Sequence, residues 1–287
     1  MYENSAEIHV SDDERINQAL TPDNLAAALG FLGEQGYVIV RDVFTPDLIN
    51  ALRQSFDAEW QKFCAEKPKW RGGGKIIGHL NLIPPKRPEF IKPEILGNRI
   101  IHSITSSILG ENLQITGIGG NANLANSVDQ YFHSDLDTPD ENKLMVNIPL
   151  GDVDEQNGSL ELIPGFNRNL ESDNGDAIRA NTRSGTVIIR YPHVLHRGKR
   201  NPSSRPRFMF GVWLSASTPE HQKLSLDPLS PDILPECIKQ FEDAGLPEPQ
   251  PVFGPNYFAP TPAGLVKEII YRIAPGPYLF LVNRLRN

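Results

Sequence analysis

Between residues 113 and 215 the sequence is broken into short apolar or alternating runs, at 113–118, 120–125, 128–135, 143–150, 159–163, 185–190, 193–197 and 206–215. Asn157-Gly158, Pro164-Gly165 and Ser184-Gly185 are turn signals between them. Short strands punctuated in this way suit a sandwich or small barrel, and a double-sheet jelly roll has eight. The expected fold is therefore mainly β with supporting helices.

The helices come first. Thr21-Pro22 offers an N-cap and a proline at the first helical position, Leu25, Ala28, Leu29 and Leu32 follow at helical spacing, and Gly36 suits the C-terminal cap. Tyr37 to Arg41 reads as a strand. Thr45-Pro46 repeats the helix start ahead of Leu48, Leu52, Phe56, Trp60 and Phe63, and one further helix is expected from about Lys92 to Leu109. Residues 1–20 read as loosely structured. Six prolines between 245 and 262 form a meander, and an apolar stretch over 262–282 must then dock, on the protein's own core, in a homodimer contact, or against another partner or a membrane surface. One domain over 1–287 is expected: helical support over 1–110, the β core over 111–215, and an extension over 216–287.

Composition excludes several roles. With Lys+Arg 28 against Asp+Glu 35 the net charge is −7, which argues against a nucleic-acid partner, since such a protein needs a basic face to release counterions. No stretch reaches the roughly 18–20 apolar residues of an integral membrane segment. The polar, acidic start over 1–14 has no apolar h-region, and the two cysteines, Cys64 and Cys237, read as small buried hydrophobes. A cytoplasmic location is the expectation.

The chemistry centres on Tyr131-Phe-His-Ser-Asp-Leu-Asp137. Residues two apart in a strand share a face, so His133 and Asp135 present an imidazole and a carboxylate side by side. His196 follows 63 residues later. Two histidines and one carboxylate can form the facial triad of non-haem iron(II) oxygenases, with open positions for a chelating 2-oxo acid and dioxygen. His-x-Asp alone is a weak signal, and taken by itself it favours a surface histidine with solvated aspartates.

The segment after His196 sharpens the choice. His196-Arg-Gly-Lys-Arg-Asn-Pro-Ser-Ser-Arg-Pro-Arg207 resembles the phytanoyl-CoA dioxygenase family, in which an Asn-x-Ser turn and an arginine eleven residues on follow the distal histidine. Asn201, Ser203 and Arg207 stand at those positions. Asn157-Gly-Ser-Leu-Glu-Leu-Ile-Pro-Gly165 is similar to the family's hairpin between the two metal segments, although Phe166-Asn167 replaces its usual Ser-His. The resemblance covers roughly 20–215. Gly120-Asn-Ala-Asn-Leu, Gln130 and Gly78-His79 are similar to the kanamycin B dioxygenase branch.

The resemblance implies a double-stranded β-helix (jelly roll, cupin-like) core with N-terminal helices. It also implies Fe(II) held by His133, Asp135 and His196, with 2-oxoglutarate and O2 as co-substrates. Arg207, at the start of an apolar strand, would fix the far carboxylate of 2-oxoglutarate with its planar fork; Arg205 is its competitor. Asn147, Gln130, Asn123 and His79 are further cofactor-binding candidates, while His193 reads as structural. Gly198 departs from the pattern, since the family carries a hydroxyl residue two after the distal histidine. Without a basic cluster for a CoA diphosphate, the implied reaction is hydroxylation of a small polar or natural-product substrate with release of succinate and CO2. The rivals are a same-fold iron oxygenase without 2-oxoglutarate, a metal-dependent hydrolase and a non-catalytic jelly-roll binding protein.

Overall fold

The computed structural model describes residues 6–65, 77–82, 84, 87–130, 132–136, 139–165 and 177–216. The proline-rich meander, the apolar tail, His221, Cys237, Tyr131 and Asp137 lie outside the described residues. In chain order the elements are β1 (Glu7–His9), α1 (Asp12–Asn17), α2 (Pro22–Gln35), β2 (Tyr37–Arg41), α3 (Pro46–Ala65), β3 (His79–Leu82), α4 (Pro93–Leu96), α5 (Arg99–Leu109), β4 (Gln114–Asn123), β5 (Lys143–Pro149), β6 (Leu160–Leu162), β7 (Ile178–Ala180), β8 (Val187–Arg190), β9 (His196–Gly198) and β10 (Arg207–Ser215).

The strands form two sheets. The major one runs β1-β2-β8-β5-β10-β4-β3, and the minor one β7-β6-β9. This is the jelly-roll arrangement, mostly β with supporting helices. Three strands of the major sheet come from the first 110 residues, so that part of the chain contributes sheet as well as helical support.

β10 shows how the sheet divides its faces. Phe208 and Phe210 lie on the helical side, where Phe56 of α3 packs with ring centroids at 5.8 and 6.3 Å. The alternate residues Arg207, Met209, Gly211 and Trp213 line a cavity on the other face. Truncating Phe56, which is fully buried, removes a contact worth about 3–5 kcal/mol. The helical layer therefore sets the position of the strand that carries Arg207.

Several local expectations are corrected. Of the stretch 1–20, the described residues 6–20 carry regular structure: β1 pairs in parallel with β2, and Ser11 and Glu14 form a reciprocal capping box on α1. The helix expected over 92–109 is two helices, because Asn98 caps a new start by accepting from the Ile101 amide. The runs 113–118 and 120–125 are one strand, β4, which passes through Gly119 and Gly120 without a turn. Among the described residues of the run 128–135, the only β pairing is an isolated bridge at His133, and no strand is formed. Cys64 is exposed near the end of α3 rather than buried, since it falls outside the stripe that α3 turns to the core.

Candidate active site

Main-chain hydrogen bonds bring the first metal segment onto the second. His133 and His196 exchange both amide–carbonyl bonds, at 3.0 and 2.9 Å, and the Asp135 amide donates to the Pro192 carbonyl at 2.9 Å. On the far side, His196 pairs with Leu162 of β6, the strand within the Asn157–Gly165 motif. The minor sheet thus carries β9 between two partners. The result is that His133, Asp135 and His196 present ligand atoms all within 4.8 Å of one another.

The donor set is in the state a metal requires. His196 Nδ1 lies 2.9 Å from the Val194 carbonyl, which can only accept, so the proton sits on Nδ1 and Nε2 keeps its lone pair. Burial pushes the His196 pKa down to about 3, and the Arg190 charge adds to this against the pull of Asp135, so the imidazole is neutral. Burial alone would raise the Asp135 pKa, but Arg190 and then His196 outweigh it and hold the carboxyl at about 2. A neutral imidazole and an ionised carboxylate 3.7 Å apart suit a divalent ion. Two nitrogens and one carboxylate fit non-haem iron(II).

The triad opens into a cavity of ≈ 340 Å³. Arg207 stands on its wall, 5% exposed, and burial lowers its pKa only to about 10, so it stays charged. Its Nε and Nη2 donate to the Gly158 carbonyl at 3.2 and 2.9 Å, and Nη1 donates to Asn121 Oδ1 at 2.8 Å. Of the five guanidinium N–H groups, one on each terminal nitrogen is left without a protein acceptor among the described residues. Arg205 does not line the cavity among the described residues, and it lies exposed in the turn that Ser203 and Asn201 cap.

A model of the phytanoyl-CoA dioxygenase (PhyH) family matches residues 32–209, more than half of the chain. The chain belongs to the phytanoyl-CoA dioxygenase family. It is an enzyme of the iron(II)- and 2-oxoglutarate-dependent oxygenase superfamily, with iron and 2-oxoglutarate as its cofactors. Solved structures agree in fold. The non-heme alpha ketoglutarate dependent carbocyclase SnoK from nogalamycin biosynthesis is similar at 19% identity and TM-score 0.52, covering 68% of this chain and 84% of its own. EctD from S. alaskensis, solved with 2-oxoglutarate and 5-hydroxyectoine, has 17% identity and TM-score 0.55, covering 73% and 83%. The epimerase SnoN, solved with Fe3+, alpha ketoglutarate and nogalamycin RO, has 16% identity and TM-score 0.55, covering 82% and 96%.

Within this PhyH-family cavity the other candidates fall in different places. His79, Gln130 and Asn147 line it. Gly198, the departure from the family pattern, is explained by its neighbours: a Cβ there would lie 2.8 Å from the His79 ring and 2.9 Å from Gln130 Oε1. Those two side chains fill the place a larger residue would take. Asn123 lies outside the cavity. It is fully buried, accepts from Ser127 Oγ at 2.5 Å and donates to the Lys199 carbonyl at 2.7 Å, so its amide ties the turn after β9 to β4. His193 is buried against Tyr191 with ring centroids 5.3 Å apart. Among the described residues no helix is long and apolar enough to cross a membrane.

Two cavity residues were not singled out from the sequence. Asn121 holds Arg207 from the neighbouring strand, and its signal was only that it lies two before Asn123, on the same strand face. Arg190 ends β8 at 3% exposure, with Nη2 on Asp135 Oδ2 at 2.5 Å and Nε on Asn147 Oδ1 at 3.0 Å. A charge closing the apolar run Val187-Ile-Ile was the available signal, because a buried arginine needs acceptors.

Proposed function

We propose that this protein is an Fe(II)- and 2-oxoglutarate-dependent dioxygenase that hydroxylates a small polar or natural-product substrate, releasing succinate and CO2. The supporting observation is the pairing, in one cavity, of the His133–Asp135–His196 cluster with a buried arginine that keeps two N–H groups for a ligand. Residues 1–287 are read as one oxygenase domain.

Each residue then has a role. His133, Asp135 and His196 hold the iron. Arg207 takes the far carboxylate of 2-oxoglutarate with its remaining N–H pair, which a lysine could not match. Gln130 accepts from the Gly198 amide through Oε1 at 2.7 Å, and its NH2 has no protein acceptor among the described residues. That NH2 supplies the donor that a hydroxyl residue at 198 would have given. Asn147 uses Oδ1 on Arg190 and offers its NH2 to the cavity. His79 donates from Nε2 to the Val128 carbonyl at 2.7 Å, which leaves Nδ1 beside Gly198 as an acceptor. Iron(II) with 2-oxoglutarate and O2 supplies the oxidising power for inserting oxygen into a substrate C–H bond.

Two further features support this reading over its rivals. Asp135 is the one acid lining the cavity among the described residues, so a hydrolase would lack a separate general base. Gly117, Gly119 and Gly211 share the wall beside the triad, where Gly119 pairs directly with Gly211. Glycine inside strands weakens them and marks close approach of a ligand to the backbone, so the substrate would lie against this floor beside Trp213. The test is anaerobic addition of Fe(II) and 2-oxoglutarate. A charge-transfer band near about 500–530 nm, the order of such chelates, is expected in wild type and not in His196→Ala. Wild type without such a band would overturn the reading.

A further inference from the structure

Resting on that reading of the site, we infer that Arg190 is a positioning residue that commits Asp135 to presenting a single oxygen to the metal, so that positions stay open for the 2-oxo acid. The carboxylate is divided between two neighbours. Oδ2 is held by Arg190 Nη2 at 2.5 Å, and Oδ1 faces His196 Nε2 at 3.7 Å. A carboxylate with both oxygens free can chelate a metal ion, and each extra ligand atom removes an open position. Arg190 prevents this by occupying Oδ2.

The guanidinium is itself fixed from three sides. Nε donates to Asn147 Oδ1 at 3.0 Å, Nη1 donates to the Tyr191 carbonyl at 3.4 Å, and Nη2 also lies 3.4 Å from His196 Nε2. That last contact uses the lone pair that ligation needs, so a metal ion would displace it. Arg190 therefore differs from Arg207. Its donors are directed at protein acceptors, and it keeps no paired face for a ligand carboxylate. Asn147 is drawn into the same arrangement, because the bond from Arg190 decides which end of its amide faces the cavity.

Charge leads to the same expectation. Arg190, itself buried, balances the partly accessible Asp135 before any metal arrives, and opposes a dication when one does. With Arg207 it also makes the loaded site favour a dianion. Removing the Arg190 charge should therefore leave the metal bound as tightly or more tightly, while the 2-oxo acid is held less well. Loss of structure alone would weaken both.

The experiment measures Co(II) binding, and then 2-oxoglutarate binding to the Co(II) form, by calorimetry in wild type, Arg190→Gln and Arg190→Lys, with Tm recorded for each. In Arg190→Gln the Co(II) constant should be unchanged or tighter, and 2-oxoglutarate should weaken by about 10-fold or more, the scale on which partners of metal ligands act. The visible Co(II) spectrum should also differ from wild type before 2-oxoglutarate is added. Arg190→Lys keeps the charge but not the two-armed hold, and should show a smaller shift in the same direction. If Arg190→Gln does not fold, the lysine variant carries the test. Co(II) and 2-oxoglutarate weakened together with a lowered Tm, or neither affected, would overturn the inference. Failure of wild type itself to bind Co(II) would instead remove the metal assignment, and this inference with it.

Discussion

The two ends of the cavity are built from unlike structure. The Arg207 end sits on long strands: β10 pairs with β4 and β5 along most of its length, and Phe56 and the helical layer support it from behind. The metal end rests on an isolated bridge and a three-residue strand, joined by a few main-chain bonds between 130–135 and 192–198. On the proposed reading, the anchor for the organic co-substrate would be set by the fold, whereas the metal ligands would depend on a local zip and on Arg190. Mutations at the metal end should change binding with little effect on stability, and those at the anchor end should change both.

The largest effect expected is from His133→Ala, Asp135→Ala or His196→Ala. Each leaves two ligands of three and should abolish the charge-transfer band with Fe(II) and 2-oxoglutarate. The metal-free Tm should hold for His133→Ala, because its amide and carbonyl bonds to His196 remain. A large drop in Tm there would mean that the metal end is as deeply embedded in the fold as the anchor end.

Gly158→Ala tests the anchor end. Gly158 has φ +88, and a Cβ would fall 2.2 Å from Asn123 Nδ2 and 2.8 Å from the Lys199 carbonyl. Its own carbonyl holds Arg207 through two N–H groups. Backbone strain and crowding should cost roughly 2–4 kcal/mol in denaturant unfolding, with weaker 2-oxoglutarate binding as Arg207 shifts. Arg207→Lys comes next. Losing one charge-assisted contact to a buried carboxylate is worth roughly 1.5–3 kcal/mol, or about 10- to 100-fold in the 2-oxoglutarate constant, with Co(II) binding unchanged. An unaltered constant would move the anchor elsewhere.

This contrast also explains what could be read from the sequence. The supporting half was legible where signals are local: Thr21 and Gly36 cap α2 as expected, and β2 and β10 follow their apolar patterns. The candidate metal cluster was legible because His-x-Asp and the segment after His196 are contiguous motifs. Residues whose role depends on distant partners were not. β1 exists because it can pair with β2 some thirty residues on, although the Ser11–Glu14 capping box beside it was readable. Gly119 and Gly120 looked like a break because glycine usually marks one, and here they form a cavity wall. Asn123 matched a pattern but lies in a buried knot, while Arg190, in no motif, meets Asp135 from 55 residues away.

The smallest expected effect concerns His79, which stands between the two ends. Burial, with the nearby Arg207 charge, pulls its pKa from 6.5 to about 4 against the raising bond to Val128. The depressed value means that the unfolded chain binds more protons between these two limits. Stability from His79 is thus fully present above about pH 6.5 and is lost as pH falls toward 4. The difference should amount to about 1–2 kcal/mol between pH 7 and 5, by linkage from that shift. His79→Gln, whose amide can still donate to the Val128 carbonyl, should flatten this part of the profile in urea unfolding of the metal-free protein. Asp135 and His196 titrate in both proteins, so the comparison is between the two slopes rather than their absolute values. Equal slopes would mean that His79 accepts its proton in the folded cavity with little penalty. The space beside Gly198 would then be wet, and His79 could serve neither as a neutral acceptor nor as the dry wall between the metal and the anchor.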